Sequence, residues 1–378
     1  MNYPIYLDCC ATTPIDNSVK ETLLHYLTED YGNEGSRTHE YGSRAKQAVY
    51  KARDQVAAVV GAKRDEVIFT SGATESNNLA ILGLADTGRE RNKQHIITSN
   101  IEHKAVLEPI ECLGKQGFDI SYLSVDRSGR IDPNAVQELL RPETLLVSVM
   151  QANNETGVLQ PITEIAEVLQ DHEAYFHCDA AQGFGKELAS ITNTRVDLIS
   201  LSGHKIYAPK GIGALVARRR GYRKAPLHPL LVGGGQERGL RPGTLSVPLI
   251  AALGQAAACS WEECEARKEV CKKIRHEMLQ VLETLDIQLT GDQHFTMPHV
   301  LNFSIDGIDS EALMVTLKDI IAISNGSACT STSYTSSHVL RSMGFSEDEA
   351  NSCVRLSWCH LTPRIDWELV KNRIQSIR

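Results

Sequence analysis

A lysine in a glycine-bounded turn, directly after an apolar run, is where this chain first points to chemistry. The largely apolar stretch Val196 to Leu201 leads into Ser202, Gly203, His204 and Lys205, and the turn closes at Gly211. A lysine amine attacks a carbonyl only when deprotonated, and partial desolvation at the mouth of a sheet favours that form and permits imine chemistry. On this segment alone, a solvated surface charge is the commoner fate of a lysine. Twenty-six residues earlier, Phe176, His177 and Cys178 run into Asp179. Pyridoxal phosphate requires such a pair, a lysine to hold its aldehyde as an imine and a carboxylate to keep its pyridine nitrogen protonated. An aspartate capping a helix that begins at Ala180 would read the same way in isolation.

A third segment supplies what a phosphate needs. Glu66 to Thr70 reads as a strand, and Ser71-Gly72-Ala73-Thr74-Glu75-Ser76-Asn77-Asn78 as a turn entering a helix. Helix N-termini bind anions through backbone N–H groups and the helix dipole; small residues such as Ala73 allow close approach, and the Thr74 hydroxyl adds a hydrogen bond. An ordinary N-cap has the same pattern.

With these segments the chain resembles, nearly end to end, the pyridoxal-phosphate-dependent cysteine desulfurases of the iron-sulfur-cluster and nitrogen-fixation type, within the class V aminotransferase-like family. The resemblance rests on several motifs in order: Ala11-Thr12-Thr13-Pro14, the Ser71 to Asn78 turn, Glu102-His103, Asn153-Asn154-Glu155-Thr156-Gly157, the Asp179 and Lys205 segments, and Gly239-Leu240-Arg241-Pro242-Gly243-Thr244. A further signature, Ser324 to Ser333, contains Cys329, which the resemblance makes the sulfur-accepting nucleophile. Nine of the twelve residues from Ser324 to Thr335 are Ser, Thr, Gly or Asn, too polar to bury, so the thiol is expected on a mobile surface loop. No lysine or arginine lies within ten residues of it on either side.

The resemblance implies a role for each matching position. Lys205 would bind the cofactor and move protons at the substrate carbons, and Asp179 would hold the pyridinium. His103 would stack on the ring and take part in proton transfer. Gln182 and Asn154 would lie near the phenolic oxygen and the substrate carboxylate. Ala73, Thr74, Ser202 and His204 would receive the phosphate, joined by Thr244 from the partner subunit of a homodimer. Arg355 would grip the substrate carboxylate with a bidentate geometry that lysine cannot copy. L-cysteine would become L-alanine, with a persulfide on Cys329 for an acceptor protein such as a cluster scaffold or a thiolation enzyme. Iron-sulfur assembly, tRNA thiolation, thiamine synthesis and DNA phosphorothioation are all destinations within the family, and these motifs do not separate them. Alternatives are selenocysteine lysis, another lyase or aminotransferase reaction on the same scaffold, and a noncatalytic sulfur-pathway binding protein.

Composition fits an enzyme of this kind. The chain has 378 residues and a formal charge of −8, which argues against direct nucleic-acid binding despite the basic cluster Arg218, Arg219, Arg220, Arg223 and Lys224. Ten cysteines without an export-type start point to reduced thiols in a cytoplasm. No Cys-x-x-Cys occurs, so no metal site is expected. No apolar run reaches the roughly eighteen residues a membrane helix needs; Leu249 to Leu253 soon meets Gly254 and Gln255.

The elements that must position these residues follow from periodicity. Strand-like runs at Glu66 to Thr70, His95 to Ser99, Asp119 to Ser124, Thr144 to Met150, Tyr175 to Cys178 and Asp197 to Ser202 alternate with helical segments, which means an α/β fold with a mostly parallel sheet. The family implies seven strands, pyridoxal-phosphate fold type I, and a smaller α+β C-terminal domain. The expected division is a large cofactor-binding domain over 12–258, with 1–11 and 259–378 forming a small domain that carries the cysteine loop. Trp261 to Thr284 and Asp366 to Ile377 read as helices. Ligands should gather at the carboxyl ends of the strands. Three departures from the family pattern stand out: Cys9-Cys10 in place of alanines, Asn33 to Ser36 without a proline, and Trp358-Cys359-His360 where relatives commonly read Gly-Arg-Phe. An intramolecular sulfur relay through Cys353 or Cys359 is conceivable, with buried packing the commoner role for such thiols.

Overall fold

The computed structural model describes residues 3–326 and 336–377; Cys329 lies outside the described residues. A short first strand, β1 (Ile5–Tyr6), precedes seven strands that form one sheet: β2 (Val67–Thr70), β3 (His95–Ser99), β4 (Asp119–Leu123), β5 (Thr144–Ser148), β6 (Tyr175–Asp179), β7 (Leu198–Ser202) and β8 (Gly213–Ala217). The six runs read as strands from the sequence all appear, with ends moved by one or two residues. The seventh, β8, is a short apolar run inside a glycine-rich stretch.

The order is β2-β8-β7-β6-β5-β3-β4. Pairing is parallel from β7 across to β4, and β8 runs antiparallel to both β7 and β2. The carboxyl ends of β2 to β7 therefore share one edge, which they meet together with the amino end of β8. Positions in β3, β5 and β7 are buried throughout, as expected of strands covered on both faces. Phe69, Val147, Phe176 and Ile199 pack with the helices Glu40–Val60 and Val247–Glu262 in one core, while Ile68, Ile96, Leu146 and Leu198 pack with the helices Ala73–Leu82 and Lys104–Gly114 in another.

The apolar stretch around Leu249 is part of the helix Val247–Glu262, which crosses Glu40–Val60 so closely that a Cβ on Gly254 would come within 2.6 Å of the Ala52 Cα. Among the described residues no helix is long and apolar enough to cross a membrane. The helix expected from Trp261 breaks at Glu263, whose φ of −104° and ψ of 7° leave helical geometry, and a second helix runs over Cys264–Leu282. At the far end, Asp366 is the N-cap of the helix Trp367–Gln375, its side chain accepting from the Leu369 N–H at 3.0 Å.

Past these helices come β9 (Ile287–Leu289), β10 (Val300–Ile305), β11 (Ile321–Ala322) and β12 (Val354–Ser357). The order β12-β10-β9 is antiparallel, and β11 pairs parallel with β1. Leu7, Leu301, Phe303 and Trp358 build a separate core here with the helices Cys264–Leu282 and Trp367–Gln375.

At the functional edge of the large sheet, Glu102 ties the ends of β3 and β5 together. Its Oε1 accepts from the Ser99 hydroxyl at 2.7 Å and from the Met150 N–H at 2.9 Å. Burial pushes this carboxyl up to about 8 against those two donors, so it is protonated at neutral pH.

Two outcomes follow. Alanine is the better helix former by about 1 kcal/mol, yet Gly254→Ala should destabilise the protein by about 1–3 kcal/mol because overpacking wins where backbone atoms block the new Cβ; a raised urea midpoint would contradict this packing. For Glu102, the native state keeps a proton that the unfolded chain releases near 4.5, so its contribution is full below that pH and is lost as pH rises towards about 8. Glu102→Gln should therefore flatten the fall in stability over this window; an unchanged slope in denaturant midpoint against pH would count against a buried neutral acid.

Candidate active site

The edge where the strands end opens into a cavity of about 500 Å³, within the range of small-molecule sites. Ala73, Thr74, His103, Asn154, Asp179 and Gln182 line it, with Ser202, His204, Lys205 and Arg355. Residues singled out from six separated segments thus meet in one place. Thr244 does not line the cavity of this single chain and is exposed.

Lys205 follows β7 in a single turn of 3₁₀ helix, Gly203–Lys205. Its amine donates to the carbonyls of Cys10 and Ala11, the latter at 2.9 Å. The N-terminal segment therefore orients the lysine, a function that Cys10 performs through its backbone. Asp179 ends β6, with a relative exposure of 5%. Its Oδ2 accepts from the Asn77 amide at 2.7 Å and its Oδ1 from the Ala181 N–H at 2.9 Å. No helix begins at Ala180; the aspartate closes a turn and faces the cavity. Asn77 was not assigned a role from the sequence, although its place three residues after Thr74 puts both on one face of the helix.

The phosphate-type features are all present at the start of that helix. Gly72 is the N-cap and contributes no side-chain cap, so the first N–H groups of the ten-residue helix Ala73–Leu82 are left for another acceptor. The approach is tight: a Cβ on Gly213 would lie 2.6 Å from the Gly72 Cα and 2.5 Å from the Leu201 carbonyl, so β8 must begin with glycine where it passes this turn. His204 hydrogen-bonds through Nδ1 with the Thr12 hydroxyl at 3.2 Å. Burial, helped by the charges of Lys205, Lys210 and Lys186, pushes His204 down to about 4, so it enters the site neutral.

His103 caps the helix Lys104–Gly114, its Nδ1 accepting from the Ala105 N–H at 3.0 Å. In the neutral ring this leaves the proton on Nε2. The Gln182 amide donates to the Cys10 carbonyl at 3.0 Å. Two buried oxygens beside the cavity, Gln182 Oε1 and Asn77 Oδ1, have no partner among the described residues, as expected of a site shaped around a polar ligand.

Arg355 sits in β12, 3% exposed. It donates to the Asn154 carbonyl at 2.7 Å, to Asp8 Oδ1 at 2.6 Å and to the Ser324 hydroxyl at 2.9 Å, while its Nε is buried without a partner among the described residues. Asp8, like Asn77, is a functional-site residue that the sequence reading passed over. Neighbouring Glu155 is buried, accepts from the Ser337 hydroxyl and packs against Gly326, so both ends of the segment containing Cys329 meet at one carboxyl group. Burial pushes that carboxyl up. Taken together, a cradle for an anion, a lysine amine, a carboxylate beside a ring-sized space and a guanidinium for a second carboxylate fit the cofactor and amino-acid substrate that the sequence anticipates.

Comparison with known proteins agrees. Residues 5–368 match the family model described as Aminotransferase class-V. Cysteine desulfurase IscS of Anaeromyxobacter dehalogenans is 46% identical over 357 residues, covering 94% of this chain and 87% of that one. Human cysteine desulfurase is 45% identical over 354 residues, 93% and 77% of the two chains. Among solved structures, DndA from Streptomyces lividans aligns with a TM-score of 0.83 at 50% identity, covering 94% of this chain and 99% of the other. SspA in complex with cysteine aligns with a TM-score of 0.83 at 37% identity, over 93% and 98%. The chain belongs to the class V aminotransferase family and, within it, to the cysteine desulfurases.

Proposed function

We propose that the protein binds pyridoxal phosphate and converts L-cysteine to L-alanine, retaining the sulfur as a persulfide on Cys329 for delivery to an acceptor protein. The observation that carries this reading is the single cavity onto which Thr74, His103, Asp179, Lys205 and Arg355 all open. SspA, solved with cysteine, supports the substrate.

When bound, pyridoxal phosphate withdraws electrons from the substrate α-carbon, which makes loss of the α-proton feasible. The protein residues supply the rest. Asp179 holds a proton at the pyridine nitrogen, its carboxylate fixed by Asn77 and the Ala181 N–H. The start of the helix Ala73–Leu82, with Thr74, Ser202 and neutral His204, holds the phosphate. Lys205 would hold the aldehyde and is the amine placed to take and return protons at the substrate carbons. His103, with its proton on Nε2, is a second group able to move one. Gln182 and Asn154 would meet the phenolic oxygen and the substrate carboxylate, and Arg355 would fix that carboxylate.

The Cys329 thiolate then attacks the substrate sulfur. A sulfur–sulfur bond forms, the carbon–sulfur bond breaks with its electron pair going to carbon, and protonation of that carbon, together with return of the α-proton, gives L-alanine. Gly326, on the amino-terminal side of the segment that contains Cys329, lines the cavity. In the same reading the protein is a cytoplasmic homodimer, Thr244 completes the phosphate site of the opposite subunit, and the chain divides into a large domain over 12–258 and a small one over 1–11 and 259–378. The core around Leu7, Leu301 and Trp358, separate from the two that flank the large sheet, supports that division.

Cys329→Ala should keep the yellow chromophore and lose alanine formation, whereas Lys205→Ala should lose the normal chromophore; alanine production by Cys329→Ala at the wild-type rate would remove Cys329 from the mechanism. Arg355→Lys should raise KM for L-cysteine about tenfold to a hundredfold, the equivalent of one charge-assisted hydrogen bond. Steady-state kinetics that left KM unchanged would remove the arginine from substrate binding.

A further inference from the structure

Two of the departures from the family pattern, Cys9 and Cys359, come from opposite ends of the chain and meet. The stretch from Leu7 to Cys9 runs beside β12: Asp8 forms a parallel bridge with Ser357, the Ser357 N–H donates to the Leu7 carbonyl at 2.8 Å, and the Cys9 N–H donates to the Ser357 carbonyl at 3.0 Å. This register packs both thiols into one small cluster closed by Tyr207. Both are free, with relative exposures of 1% and 2%.

Their environments are unequal. A hydrogen bond from the Cys9 thiol holds Cys359 below the ordinary thiol value against its burial, helped by the Leu361 N–H, the Thr362 hydroxyl and the charge of Lys186. The same hydrogen bond, together with burial, holds Cys9 well above it. Two free thiols packed together from opposite ends of the chain, in unequal surroundings, have the arrangement of an attacking and a resolving thiol.

We propose that Cys9 and Cys359 form a redox-active dithiol, a modification site separate from the Cys329 chemistry, which a small hydroperoxide converts to a disulfide. The Cys359 thiolate attacks one peroxide oxygen, the oxygen–oxygen bond breaks, and hydroxide leaves and is protonated to water. Cys9 sulfur then attacks the resulting sulfenic sulfur, the sulfur–oxygen bond breaks, and the departing hydroxide takes the Cys9 proton as a second water. Two thiols lose two electrons in all, and one hydrogen peroxide is reduced to two waters. The bond would join the segment whose Cys10 carbonyl receives Lys205 and Gln182 to the strand that carries Arg355.

The test treats the folded holoenzyme with hydrogen peroxide, then unfolds it in denaturant for alkylation, digests it without reductant and maps the peptides by mass spectrometry. The expected result is a linked pair of peptides containing Cys9 and Cys359, two hydrogens lighter than the reduced peptides together, lost after dithiothreitol and formed equally in Cys329→Ala. Cys359→Ser should abolish the pair and leave Cys9 open to alkylation; Cys9→Ser gives the reciprocal check. The proposal is overturned if both thiols remain alkylatable under treatment that oxidises exposed Cys112, or if Cys359 is found linked to Cys10 or Cys271 instead.

Discussion

Parallel pairing of β3, β5, β6 and β7 is the constraint on which the remaining structure depends. Strands that run the same way deliver their carboxyl ends to one edge, and that edge is where backbone polar groups and short polar side chains emerge from a buried core. The consequence is visible residue by residue: Glu102 and His103 follow β3, Asp179 ends β6, and Ser202 ends β7 with Gly203 to Lys205 directly after it. The reversed strand β8 fits this edge because it starts with a glycine, where any side chain would strike Gly72.

The second constraint is that the N-terminal segment belongs to both halves of the site. Carbonyls of Cys10 and Ala11 receive the lysine amine, while Asp8, two residues earlier, receives Arg355 from β12. A short piece of chain thereby fixes the spacing between the Lys205 amine and the Arg355 guanidinium. Cys9 lies between these contacts and touches Cys359, so the two unusual cysteines are built into the same joint.

Much of this was legible in the sequence because key residues close an apolar run. Asp179 and Lys205 stand out as polar residues at the ends of buried strands, and the helix start at Ala73 follows from small and hydroxyl residues after a strand. Asn77 and Asp8 were not legible, since each acts by holding another side chain and nothing in its own spacing marks that. The strand β8 was hidden by flanking glycines, and the break at Glu263 was hidden because both flanking helices carry continuous amphipathic patterns. The contact between Cys9 and Cys359 depends on the register of β1 and β12 with their neighbours, which no local pattern encodes.

The central claim is that Lys205 is the residue that binds pyridoxal phosphate. It is tested most directly by loading the purified protein with the cofactor, reducing with borohydride and mapping the labelled peptide. The account predicts a reduced pyridoxyl adduct on Lys205; an adduct on Lys210 or Lys186 with Lys205 unlabelled, or no adduct at all, would contradict it.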